Sequence, residues 1–170
     1  MQHIHIKLFV EDPSAITLTD AIAVFHRWIQ TSTVPELLID VADYSHVPHG
    51  PGVMLIGHEA YYSLDMGKGR LGLLYQRKAR MEGPDVENLN AAWQTVRAAA
   101  DLLEQEPEFR GKLQFRRDEV AITLNDRLLY PNTAATWVAA EPVLCAVLDG
   151  YTLVRNEDPR ERFAVLATRT

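Results

Sequence analysis

Residues 53 to 80 read VMLIGHEAYYSLDMGKGRLGLLYQRKAR, and this stretch decides the fold class. Its two halves, residues 53–65 and 70–80, are rich in the apolar and aromatic residues that favour β-strands. The segment between them, Met66-Gly67-Lys68-Gly69, predicts a hairpin turn, because glycine adopts positive φ angles without steric cost. The stretch therefore predicts two neighbouring antiparallel strands.

Hydrophobic periodicity predicts the elements around this hairpin. Residues 3–10 alternate with period two and indicate a half-buried strand, and residues 37–42 are apolar on both faces, as in a central strand. Residues 85–105 carry one apolar stripe at helical spacing. The predicted order is β-α-β-β-β-α-β-β-α-β-β. The elements lie at residues 3–10, 19–30, 37–42, 53–65, 70–80, 85–105, 111–125, 133 onward and 151–168, and the ranges 111–125 and 151–168 each hold a hairpin of two strands.

Hairpins dominate this order, and helices are few. We therefore expect one α+β domain over residues 1–170, with a mixed, mainly antiparallel sheet and about three helices gathered on one face. Two details accompany this prediction. A turn is expected near Arg117-Asp118, and Pro142 is expected to interrupt or restart the third helix, since proline lacks the backbone N–H.

Charge and composition exclude several classes of protein. The chain has 17 Lys and Arg against 23 Asp and Glu, a net charge of −6, and no basic stripe for nucleic acid. Its N-terminal residues lack the pattern of a signal peptide, so we expect none, and it has no apolar run of the roughly 20 residues that a membrane helix needs. Its single cysteine, Cys145, lies in an apolar run and predicts a buried, inert thiol. We expect a bacterial-type cytoplasmic protein without membrane or nucleic-acid partners.

The densest group of reactive side chains lies between Asp40 and Glu59. This segment holds three of the six histidines and runs from the end of a strand through a loop rich in proline and glycine. Such a position suits a site, because the scaffold fixes the loop. The candidate ligand-binding residues are Asp40, Asp43, His46, His49, His58 and Glu59.

Three kinds of chemistry remain open for this segment. His46, His49 and His58, with a carboxylate, would suit a metal, although their spacing lacks a helical ligand motif. Gly50-Pro51-Gly52 would present backbone N–H groups to an anion. Acid–base chemistry is the third possibility, because Asp40, predicted to be buried, would need a partner such as His58 on the next strand. The alternative is a set of structural hydrogen bonds, and no cofactor is assigned.

Two further groups are secondary candidates. Asn125, Arg127 and Asn132 mix amide and charge just before the third helix, although Asn132 also suits an N-cap and Arg127 an ion pair. His3 and His5 share one face of the first strand with Lys7, which indicates either a solvated face or an extension of the site.

No strong catalytic motif is present. The favoured hypothesis is a non-enzymatic ligand-binding or protein-interaction module that self-associates as a homodimer, because unpaired strand edges readily pair with a second chain. The alternative is a small enzyme, with or without a metal, that uses the segment from Asp40 to Glu59.

Overall fold

The structure, a computed structural model that describes residues 1–169, has eight strands and three helices within those residues. The strands are β1 (Ile4–Val10), β2 (Leu38–Tyr44), β3 (Gly52–Gly57), β4 (Ala60–Asp65), β5 (Gly72–Arg77), β6 (Phe115–Leu124), β7 (Thr152–Arg155) and β8 (Phe163–Thr168). The helices are α1 (Asp20–Thr31), α2 (Asp85–Gln105) and α3 (Ala134–Val147). None of these helices is both long and apolar enough to cross a membrane.

All eight strands form one antiparallel sheet in the order β2-β3-β4-β5-β1-β6-β8-β7. The predicted α+β fold class is therefore confirmed. Strand β1 lies in the middle of the sheet, between β5 and β6. This placement joins the first strand of the chain to two elements that are far from it in sequence.

The two faces of β1 differ in what covers them. Ile4, Ile6 and Leu8 are almost completely buried in the hydrophobic core, and α2 packs on β1 and β5 while α1 packs on β2 and β3. The opposite face carries His5, Lys7 and Phe9, because successive side chains of a strand alternate. We call this second face, which points away from the core, the open face.

Residues 53–65 form two strands instead of the single predicted one. Strand β3 ends at Gly57, and β4 begins at Ala60 after a tight turn. The Glu36 carboxylate stabilises this turn by accepting hydrogen bonds from the backbone N–H groups of Glu59 (3.0 Å) and Ala60 (3.1 Å). A glutamate outside the hairpin therefore stabilises a turn that local sequence does not indicate.

The hairpin predicted over residues 111–125 is wrong, since the structure has one long strand, β6, from 115 to 124. Phe115 pairs with Val10 and Val120 pairs with Leu8, so five steps along β6 match two along β1. Charged residues 116–118 occupy the resulting irregularity. Polar residues are typical of turns and also occur at bulges, so the polar run at 116–118 led to the wrong prediction of a turn.

Strand β2 lies at the edge of the sheet, whereas its apolar sequence predicted a central position. Helix α1 covers one face of β2 and buries Leu38. The side chains of Leu37, just before β2, and of Ile39 are exposed, at 70% and 53%. The apolar sequence of residues 37–42 therefore belongs to an edge strand with exposed apolar side chains.

Helix α3 differs from its prediction in two ways. Pro142 lies inside the helix without ending it, and the carbonyl that loses its donor belongs to Val138, which is exposed to water. Cys145 is exposed, not buried. Its neighbour Leu144 is buried instead, because an apolar run in a helix at the surface still has a face toward solvent.

Candidate functional site

The aspartates of the segment from Asp40 to Glu59 lie on the surface. Asp40 is exposed, not buried as predicted, and its carboxylate accepts the backbone N–H of Val41 at 2.8 Å. Asp43 is also exposed and accepts the N–H of Ser45 at 2.8 Å. Hydrogen bonds from the side chain and then the backbone of Ser45 lower the pKa of the Asp43 carboxyl group. Both carboxylates therefore make local hydrogen bonds to the backbone.

The histidines of the same segment are exposed as well: His46, His49 and His58. Asp40 pairs in register with Ile56, while His58 lies in the turn beyond the end of β3. Glu59 is half-buried and accepts a hydrogen bond from Arg77 at 2.5 Å. Within residues 1–169, no three His, Cys, Asp or Glu side chains are grouped so that they could hold a metal.

Gly52 serves the fold rather than the approach of a ligand. Its φ angle is +62°, and a Cβ atom there would overlap the backbone carbonyl oxygen of Leu64 on β4. The adjacent residue, Val53, pairs with Leu64 in the sheet. The close approach at Gly52 is therefore to the chain's own next strand.

A cavity of about 640 Å³ lies on the open face. Strands β1, β4, β5, β6, β7 and β8 contribute to it, together with the β4–β5 turn (residues 66–71) and the β7–β8 loop (residues 156–162). Its apolar lining residues are Phe9, Leu74, Ala121, Val154, Ala164, Val165 and Leu166. We call it the open-face cavity.

Most of the charged side chains that line the open-face cavity are cationic. Its lining includes five cationic side chains and a single carboxylate, that of Asp65. The cations are Lys7, Lys68, Arg70, Arg155 and Arg162. The whole chain has a net charge of −6, so this cavity is a cationic region of an acidic protein.

Two loops from opposite ends of the sheet meet at this cavity. The β4–β5 turn contributes Lys68 and the β7–β8 loop contributes Arg162. Lys68 Nζ lies 3.9 Å from Glu161 Oε2, and both side chains are exposed. Such an exposed pair contributes little stability, so it leaves Lys68 free to contact another anion.

Lys7 and Asp65 form a buried ion pair in the cavity. Lys7 Nζ donates to Asp65 Oδ2 at 2.5 Å and to the carbonyl oxygen of Gly67 at 3.2 Å. Burial lowers the pKa of the Lys7 ammonium, and the hydrogen bond with Asp65 opposes that shift. Asp65 also accepts the N–H of Gly67 at 3.0 Å, so the pair fixes the β4–β5 turn beside the cavity.

Arg70 is held in place from two sides. Its guanidinium lies over the ring of Phe9, 3.6 Å from the centroid, and donates to both carboxylate oxygens of Glu119, at 2.8 and 2.7 Å. Glu119 is buried and raises the pKa of the Arg70 guanidinium. Arg70 is thus a permanent and well-oriented cation.

His5 is uncharged at neutral pH. Burial is the main cause that lowers its pKa to about 4, and the nearby cation of Arg162 lowers it further. The Gln76 amide nitrogen lies 3.5 Å from His5 Nδ1. His5 therefore contributes a neutral imidazole to the cavity.

Arg162 is the most available cation of the lining. It is exposed, and within residues 1–169 no carboxylate lies within ion-pair distance of it. Arg155, by contrast, donates to Asn132 at 3.2 Å and lies 3.7 Å from the exposed Glu157. An incoming anion would gain most from Arg162, whose guanidinium has no carboxylate partner among residues 1–169.

The secondary candidates lie at or beside this cavity. Asn125 lines it. Asn132 is buried and donates to the carbonyl oxygens of Asn156 (2.7 Å) and Asp158 (2.8 Å). Arg127 donates to the carbonyl oxygen of Arg160 at 2.8 Å. Asn132 and Arg127 therefore hold the β7–β8 loop, while the N-cap of α3 is Thr133.

Most of the lining was not singled out from the sequence. The alternation of β1 indicated that His5 and Lys7 share a face, and the structure places both in the cavity. Asp65, Arg70 and Arg162 carry no local signal, because each looks like the end of a strand or part of a turn. Only the order of the strands brings them together.

Comparisons of the chain with known protein families, with characterised proteins and with solved structures find no match.

Proposed function

We propose that the chain binds a small organic anion with an apolar body in the open-face cavity. The observation that carries this proposal is the lining of the cavity, which combines an apolar floor with five cationic side chains and one carboxylate. The proposal makes the protein a ligand-binding module and places its site on the open face instead of the segment from Asp40 to Glu59.

Size and polarity support a small-molecule ligand. A volume of about 640 Å³ falls within the range of roughly 300–1,000 Å³ that is usual for ligand pockets. Leu74, Ala121 and Leu166 lie on three different strands and together provide an apolar surface. Burying an apolar ligand body there would supply the main favourable free energy of binding.

Electrostatics support an anion. Tight pairs with Asp65 and Glu119 neutralise Lys7 and Arg70, whereas Lys68 is paired only loosely and Arg162 has no carboxylate partner among residues 1–169. A ligand carboxylate, sulfonate or phosphate beside Arg162 would form a charge-assisted hydrogen bond. A cationic ligand would be repelled by the same groups.

Replacing Arg162 with Gln is expected to weaken the binding of decanoate about tenfold, because a hydrogen bond to a charged group contributes roughly 1.5 kcal/mol or more. Isothermal titration calorimetry measures the change directly. Decanol, which has the same chain without the charge, should bind the two proteins equally.

Arg160→Gln is the matched control for this prediction. Arg160 belongs to the same loop and is also exposed, but its guanidinium pairs with Asp158 and does not line the cavity. Its replacement should leave decanoate affinity unchanged. If decanoate does not bind at all, or if both variants lose the same affinity, the anion site is refuted.

Self-association and a cytoplasmic location remain part of the proposal. The edge strand β2 exposes backbone hydrogen-bonding groups beside Leu37 and Ile39, and such an edge can pair with the same edge of a second copy. Multi-angle light scattering at tens of micromolar should give twice the monomer mass, and a monomer would contradict the homodimer.

A further inference from the structure

We infer that the anion bound in the open-face cavity is an aldehyde or ketone whose carbonyl carbon forms an imine with Lys7. This inference rests on the proposed function and narrows its ligand class to oxo acids. Lys7 is the only lysine of the cavity interior, with its side chain 10% exposed, whereas Lys68 at the rim is 77% exposed. The amine therefore lies where a bound ligand would be held, not where solvent reaches it freely.

The groups around Lys7 supply what imine formation requires. Asp65 Oδ2 lies 2.5 Å from Nζ and is the acceptor for its proton, while the Gly67 carbonyl at 3.2 Å fixes the direction of the amine. Burial lowers the pKa of the Lys7 ammonium, which raises the fraction of neutral amine that is present as nucleophile.

Atoms and charges balance with these two residues alone. Lys7 transfers a proton to Asp65, and its nitrogen lone pair attacks the carbonyl carbon while the carbonyl π electrons move to oxygen. A proton passes from nitrogen to that oxygen, giving a carbinolamine. Asp65 then returns its proton to the hydroxyl group, water leaves and the C=N bond forms. The product is a protonated imine that donates its N–H to the Asp65 carboxylate.

Strand geometry sets the length of the ligand. Lys7 and His5 are two residues apart on one face of β1, which corresponds to about 7 Å. Asp65 and the carbonyl of Gly67 hold Lys7 Nζ toward the β4–β5 turn, whereas Arg162 lies in the β7–β8 loop, which starts from the other end of the sheet. An anionic group at Arg162 and a carbonyl at Lys7 therefore require several atoms between them. An oxo acid with the two groups on adjacent carbons is too short to reach both.

Reductive trapping tests the inference, because the chain has only four lysines, Lys7, Lys68, Lys78 and Lys112. The probe is 4-formylbenzoate with sodium cyanoborohydride, and peptide mass spectrometry locates the secondary amine that forms. We expect Lys7 to be labelled about tenfold faster than each of the other lysines, in keeping with one charge-assisted contact. Benzaldehyde, which lacks the anion, and glyoxylate, which is too short, should lose this preference.

Two variants complete the experiment. Lys7→Arg keeps a cation beside Asp65 and should abolish only the label at position 7. Arg162→Gln should slow labelling of Lys7 about tenfold and leave Lys112 unchanged. Faster labelling of Lys68 than of Lys7 would overturn the imine. If Lys68 is labelled faster but decanoate still binds, the imine is wrong and the proposed anion site stands. If decanoate does not bind either, both the imine and the anion site are refuted.

Discussion

Replacing Gly52 with Ala is expected to lower the free energy of unfolding by about 3–5 kcal/mol, a large part of the total stability of a domain. Two costs add at this position. The φ angle of +62° strains any residue with a Cβ atom, by about 1–3 kcal/mol. The new methyl group would also overlap the carbonyl oxygen of Leu64, and β3 and β4 would have to separate locally to relieve the overlap.

Gly111→Ala is the matched control. Gly111 has a similar φ angle of +75°, but a Cβ atom there would have no neighbour within 4 Å. Its replacement should therefore cost only the backbone strain, about 1 kcal/mol. Urea unfolding of the two variants separates strain from overlap, provided that their m-values agree. Equal destabilisation would show that β4 does not limit the space at Gly52.

The elements whose prediction needed only local sequence are right. The alternation of β1, the apolar stripe of α2 and the Met66–Gly69 turn all give elements close to the predicted ones. Two of the errors share a physical origin, which is a partner distant in sequence. Glu36 stabilises the turn between β3 and β4, and the pairing of β6 with β1 turns a predicted hairpin into a bulged strand.

The position of the candidate site depends on the same distant partners. Histidines concentrated near His49 gave the strongest compositional signal, yet these side chains are exposed. The open-face cavity instead takes Lys7 from β1, Asp65 from β4 and Arg162 from the β7–β8 loop. Their meeting follows from the insertion of β1 between β5 and β6, which no local pattern in the chain specifies.

The Asp65→Asn variant should lose about 3 kcal/mol of stability near neutral pH. The substitution removes the charge that compensates the Lys7 ammonium, and Lys7 is only 8% exposed. An uncompensated buried charge typically costs about 3–5 kcal/mol, and the lower value applies because the cavity opens to water. Chemical denaturation at pH 7 measures the loss.

Lys7→Met should cost less, since Asp65 retains the N–H of Gly67 as a donor. The double variant, Lys7→Met with Asp65→Asn, should be more stable than Asp65→Asn alone, because no unpaired ammonium remains. A double-mutant cycle over these proteins isolates the interaction between the two side chains. Additive losses in the double variant would show that the pair is not coupled.

The pH dependence of Asp65→Asn provides the strictest test of the pair. In the native protein, burial lowers the pKa of Lys7 below its ordinary value of 10.5, and the hydrogen bond with Asp65 limits the shift. Without that hydrogen bond the pKa of Lys7 in the folded protein falls further. The unfolded chain binds more protons than the folded one between this pKa and pH 10.5, so that pH interval becomes wider. Stability then rises with pH through that range. The deficit of Asp65→Asn should therefore shrink as the pH is raised from 7 toward 10, whereas a deficit caused by lost packing alone would stay constant.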